Sequence, residues 1–149
     1  MAEDRDELIQ HYWQMRRTLL AAIDGFSDAL LSELSLDGWS VKDHLAHLAL
    51  WGEIRAAEVA RISAGYKSAW RMSGEQDTTY SGLGHNLCLG LSVAQVRWEL
   101  ETTRQRLLDA IAAATPPDST HRAMARLACR THAAQHTGWI RSWRDEKGV

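Results

Sequence analysis

Proline is almost absent, with two residues in 149, and those two are adjacent at Pro116-Pro117. A chain with so few helix breakers, and with abundant Ala, Leu, Glu and Arg, favours long helices. Cysteine is nearly as scarce: Cys88 and Cys129 are too few and too far apart for a disulfide framework, which fits a reducing compartment. No run of about 18 apolar residues occurs, so no membrane-spanning helix is expected. A basic excess is missing too. Seventeen Lys and Arg stand against 19 Asp and Glu, a net charge of −2, which argues against a nucleic-acid partner. The opening Met-Ala-Glu-Asp-Arg-Asp-Glu lacks the basic and apolar regions of a secretory signal, and a cytoplasmic location is expected. Walker loops, dinucleotide glycine patterns and a Ser–His–Asp order are also lacking, and Gly82-x-Gly84 has no strand before it.

The length and the 45% hydrophobic content suit one globular domain over residues 1–149, long enough to bury a core without disulfides. Seven tryptophans against one phenylalanine set the aromatic character. A first helix is expected from about Asp4 to Asp24, because Leu8, Tyr12, Met15, Leu19, Ala22 and Ile23 recur at three- and four-residue steps. After the short apolar stretch of Ala29, Leu30, Leu31 and Leu34, Asp37-Gly38 signals a turn. A second helix begins with Ser40 as N-cap and Asp43 as its capping-box-like partner. Val41, Leu45, Leu48, Trp51 and Ile54 form its apolar face, with Lys42, Glu53, Arg55 and Arg61 elsewhere, and it fades near Gly65. From Tyr66 to Gly90 periodicity is lost, which reads as a long connection holding at most a short helical turn; loops of that length tend to be functional. Ser92 caps a third helix carrying Val93, Val96, Leu100, Leu107, Leu108 and Ile111, stopped by Pro116-Pro117-Asp118. A last helix is expected from about Ser119 to Trp143, with Ala125, Cys129, His132, His136, Trp139 and Trp143 on one stripe. No strand is expected, and four amphipathic helices describe an all-α four-helix bundle.

The chemistry lies in the histidines. His132 and His136, four apart on a helix, aim two imidazoles at one point, a good grip for a divalent transition metal. Their stripe is otherwise apolar, so both should face the interior, where unpartnered imidazoles would be costly and a shared metal would satisfy them. His47, on the flank of the second helix's apolar face, is the best third ligand. Three imidazoles leave coordination positions open, which suits catalysis better than a purely structural role. His44, one turn earlier, is a competing ligand or a hydrogen-bonding support, and Cys129 is either a ligand or a small buried hydrophobe. His11, His85 and His121 read as surface or loop residues, with His85 the one to watch. Trp13, Trp39, Trp51, Trp98, Trp139 and Trp143 fall at or near helical core positions, and Trp51 is a candidate pocket wall. Trp70 in the connection could line a pocket, and Arg141 is either solvated or placed to meet an anionic substrate.

The stretch Gly38-Trp39-Ser40-Val41-Lys42-Asp43-His44-Leu45-Ala46-His47-Leu48-Ala49-Leu50-Trp51 resembles the DinB-like superfamily, which includes YfiT-like proteins, the ClbS/DfsB group and mycothiol-dependent maleylpyruvate isomerases. His132-x-x-x-His136 followed by Trp143 matches the second family signature, so the resemblance spans nearly the whole chain. It implies an up-down-down-up bundle with a long connection between helices 2 and 3. It also implies a nickel or zinc ion on residues matching His47, His132 and His136, and frequent homodimers. A low-molecular-weight thiol cosubstrate is implied by several members. His44 stands where many members carry an apolar residue, and no added C-terminal domain of the isomerase type is expected. The function expected is that of a metal-dependent enzyme acting on a small electrophilic molecule by thiol S-transfer. The alternatives are a hydrolytic self-resistance protein of the ClbS/DfsB kind and a non-catalytic, metal-stapled binding bundle.

Overall fold

A computed structural model describes residues 2–35, 38–69, 74–114 and 129–149, with the side chains of residues 2–4, 129 and 130 excepted. The turn and stop signals expected at Asp37 and Pro116-Pro117, together with Trp70, His121, Ala125 and the start of the last helix near Ser119, lie outside the described residues. In chain order the elements are α1 (Ala2–Ile23), α2 (Asp28–Ser32), β1 (Leu34–Ser35), β2 (Trp39–Ser40), α3 (Val41–Ser63), α4 (Gly74–Cys88), α5 (Val93–Ala113) and α6 (Cys129–Lys147). The architecture is all-α, as expected. The small departure is the two-residue antiparallel pair β1–β2, with Leu34 opposite Ser40 and Ser35 opposite Trp39. Too short to show an alternating pattern in sequence, it sets Trp39 directly ahead of α3.

The order of the four long helices follows from which residues meet. Arg106 on α5 pairs with Glu53 on α3, and Lys42 near the start of α3 reaches the Leu91 carbonyl just before α5. These two helices therefore run parallel. Arg16 pairs with Glu101, and Arg5 reaches the Ala112 carbonyl, so α1 is antiparallel to α5. On α6, His132 meets His47 and His136 meets His44, which makes α6 antiparallel to α3. The result is up, down, down, up. A parallel α3–α5 pair demands a connection that crosses the bundle's length, which explains the long segment between them. That segment is not the loop expected. It carries the 15-residue helix α4, whose glycines and small polar residues leave too weak an apolar stripe to be read. Gly84 lets α4 lie close on α3, since a Cβ there would sit 2.2 Å from Leu50 Cδ2.

The core is made of the stripes read from the sequence. Leu19, Ile23, Val41, Leu45, Val96, Leu100 and Ile140 are buried in one cluster, and Leu8, Val59, Leu107 and Ile111 in another. Two tryptophans depart from the core expectation: Trp98 is 63% exposed and Trp139 is 49% exposed. At about 100° per residue, Trp98 lies some 200° from both Val96 and Leu100, on the opposite side of α5. No described helix is long and apolar enough to cross a membrane.

The start of α3 is fixed by a full capping box. Ser40 Oγ accepts from the Asp43 N–H at 3.1 Å, and Asp43 Oδ2 accepts from the Ser40 N–H at 2.9 Å. Both side chains are buried. Ser40→Ala is expected to lower stability by about 1 kcal/mol, measured as a lower urea midpoint at unchanged slope.

Candidate metal centre

Three imidazoles converge in the bundle. His47 comes from α3 and His132 and His136 from successive turns of α6. His132 Nε2 lies 2.9 Å from His47 Nε2 and 3.2 Å from His136 Nε2. Metal–nitrogen bonds of about 2.0–2.1 Å in a tetrahedral arrangement put ligand nitrogens about 3.3 Å apart. Two of the three separations match that value, all three ligand atoms lie within 4.8 Å of one another, and among the described residues these three form the group that could hold an ion.

The protonation state fits as well. Burial lowers His47 from 6.5 to about 4, helped by the charges of His44, Arg55 and His85. Burial lowers His132 to about 3, with Arg55 and then His47 adding to it. His136 falls to about 2, by burial first and then by His132, His47, His44 and Arg55. All three rings are neutral near pH 7, the form in which imidazole ligates a metal.

The two readings of His44 now separate in geometry. It is buried, and its Nδ1 lies 2.7 Å from His136 Nδ1, on the side of that ring away from the cluster. A hydrogen bond there fixes the orientation of His136 and leaves Nε2 turned to the other two rings. Tryptophans wall the cluster. Trp39 packs against His44 and His47, with ring centres 5.3 Å away in each case. Trp51 lies 6.3 Å from His47 and 6.2 Å from His132, and Trp139 lies 4.9 Å from His136. Trp139 thus meets His136 from the rim, about half exposed.

The helix inside the long connection closes one side. His85 stacks on Trp39, ring centres 4.6 Å apart and 3° from parallel, and its Nε2 is 3.5 Å from Asp43 Oδ2. Ser81 accepts the Trp51 indole N–H at 3.3 Å. His85 is thus neither a loop nor a surface residue, but belongs to the wall.

Arg55 is the residue that sequence reading misplaced. It is 6% exposed, with Nη2 3.0 Å from His132 Nδ1 and its guanidinium over the Trp51 ring at 5.8 Å. The stripe 44, 48, 51, 55 steps by four, three and four, so the spacing carried the signal and only the charge hid it. Arg141, by contrast, is exposed on α6. Cys88 is half-buried, its thiol pushed up by burial and by Glu99 and Asp43, which suits a packed thiol rather than a nucleophile. The Cys129 side chain lies outside the described residues.

An up-down-down-up bundle with an inward-facing histidine cluster bridging its second and last long helices defines the class. A model of the DinB superfamily matches residues 11–140, and the chain belongs to that superfamily. The crystal structure of an uncharacterised protein from Escherichia coli UTI89 shares the fold, with a TM-score of 0.81 at 16% identity, covering 97% of this chain and 95% of the other. No curated protein matches the sequence.

Proposed function

We propose that His47, His132 and His136 hold a divalent ion, zinc or nickel, and that the protein transfers a small thiol to an electrophilic substrate. The observation that carries the reading is the approach of the His47 and His136 Nε2 atoms to His132 Nε2, at 2.9 and 3.2 Å. When bound, such an ion acts as a Lewis acid and lowers the pKa of a thiol at its open position. The chain's own residues supply the rest. His44 orients His136, and the rings of Trp39, Trp51 and Trp139 screen the site from water. Arg55 keeps positive charge beside His132, which favours the thiolate over the thiol.

The test uses protein purified without nickel-affinity resin, since that resin could load the site. Elemental analysis should give one transition-metal equivalent per chain. After exchange for cobalt(II), 2-mercaptoethanol should add a thiolate-to-metal charge-transfer band. A protein that takes up no stoichiometric metal would overturn the metal centre. A loaded protein without the band, yet active on an electrophile in the absence of thiol, would replace S-transfer with hydrolysis.

A further inference from the structure

Beside the histidines, a cavity opens between α1, α3, α5 and α6. Its walls include Tyr12, Arg16, Leu48, Arg55, Arg104 and Leu107, and Arg55 links it to the His132 ring. Three guanidinium groups on a mostly apolar wall are unusual, because a buried cation is costly unless an anion meets it. Arg16 is answered by Glu101, whose Oε2 accepts from Nε at 3.0 Å. Arg55 and Arg104 are not: among the described residues no carboxylate lies within ion-pair distance of either. Arg55 Nε and Arg104 Nη1 are buried without a hydrogen-bond partner. Burial pulls Arg104 down from 12.5 to about 10, against the opposing charge of Glu101 and with that of Arg16. The cavity therefore holds more positive charge than the protein neutralises.

Arg55 is further constrained by its neighbour. Guanidinium has donors only, so its contact with His132 Nδ1 requires that nitrogen to accept. A neutral imidazole giving Nε2 to an ion carries its proton on Nδ1, which makes both groups donors. Arg55 is then left without its one hydrogen-bond acceptor, and its planar fork matches a carboxylate in two-point fashion.

We propose that this cavity is the seat of a small ligand bearing a carboxylate, gripped by Arg55 with Arg104 on the facing helix. The seat deepens the reading of the histidine cluster, and rests on it for the claim that the ligand's other end reaches the reacting position. Apolar walls from Leu48 and Leu107 select a short hydrocarbon chain next to the charge.

The probe is butyrate, with butyramide as the neutral analogue of the same shape, titrated against metal-free and zinc-loaded protein by saturation-transfer NMR. Butyrate should bind at least tenfold more tightly than butyramide. Arg55→Leu should lose that preference while binding zinc at least as tightly as the parent, because a cation beside His132 has been removed. Arg55→Lys should keep part of it. If Arg55→Leu does not fold, as judged by circular dichroism, Arg104→Met carries the test, with a several-fold loss of butyrate expected. Equal binding of the two probes, or unchanged butyrate affinity in the folded variant, would overturn the seat. Butyrate gripped through Arg55 by a chain that takes up no zinc would support the seat and refute the metal centre. Zinc binding without butyrate discrimination would do the reverse.

Discussion

His132→Ala is expected to abolish stoichiometric zinc binding, with affinity falling at least about a hundredfold, beyond what loss of an outer hydrogen-bond partner costs. His132 is the hub of the cluster, since its Nε2 is within 3.2 Å of both other ring nitrogens. Its removal leaves two donors, His47 and His136, with ring centres 4.8 Å apart on different helices. His47→Ala and His136→Ala should have comparable effects, because each takes one of three donors. His44→Ala should behave differently. It leaves all three donors in place and frees only the Nδ1 side of His136, so a weakening of about ten- to a hundredfold with retained stoichiometry is expected. Calorimetric zinc titration of the four variants, each checked for helicity, separates the two classes. Wild-type affinity in any of the first three would strike that residue from the ligand set, and loss of stoichiometry in His44→Ala would make it a ligand.

Local chemistry made much of this arrangement legible in advance. The capping box at Ser40 and Asp43 is written within four residues, and the pairing of His132 with His136 within five. The apolar stripe of α5 from Val93 to Ile111 is buried residue for residue. What could not be read depends on contacts between distant segments. Opposition of His44 to His136 requires the antiparallel register of α3 on α6, which no local pattern states. Helix α4 owes its place to packing on α3 through Gly84 and to the stacking of His85 on Trp39, rather than to an amphipathic stripe of its own. Arg55 misleads for a related reason. A charge on a helix normally marks the wet face, and here it marks a buried position in contact with another helix and with an aromatic ring.

Metal-free protein should lose stability steeply between pH 7 and pH 5. His47, His132 and His136 have folded-state values of about 4, 3 and 2, against 6.5 for an exposed imidazole. Above pH 7 the rings are neutral in both states and contribute no pH dependence. As the pH falls through 6.5, the unfolded chain takes up protons that the folded chain cannot accept without charging a buried ring. The unfolded state therefore binds more protons, and stability falls with falling pH until the folded values are reached. Each ring contributes up to about 1.4 kcal/mol per pH unit once the pH is well below 6.5, so three together approach about 4 kcal/mol per unit. Against a total stability of about 5–15 kcal/mol for a domain, that slope unfolds the chain before the folded values are reached. Urea midpoints of chelator-treated protein at pH 7.5, 6.5 and 5.5 measure it, and a flat series would show that the rings are solvated rather than buried. Saturating zinc should raise the midpoint at pH 7.5 by mass action. It should lose that advantage as the pH drops, because protons and the ion compete for the same Nε2 atoms.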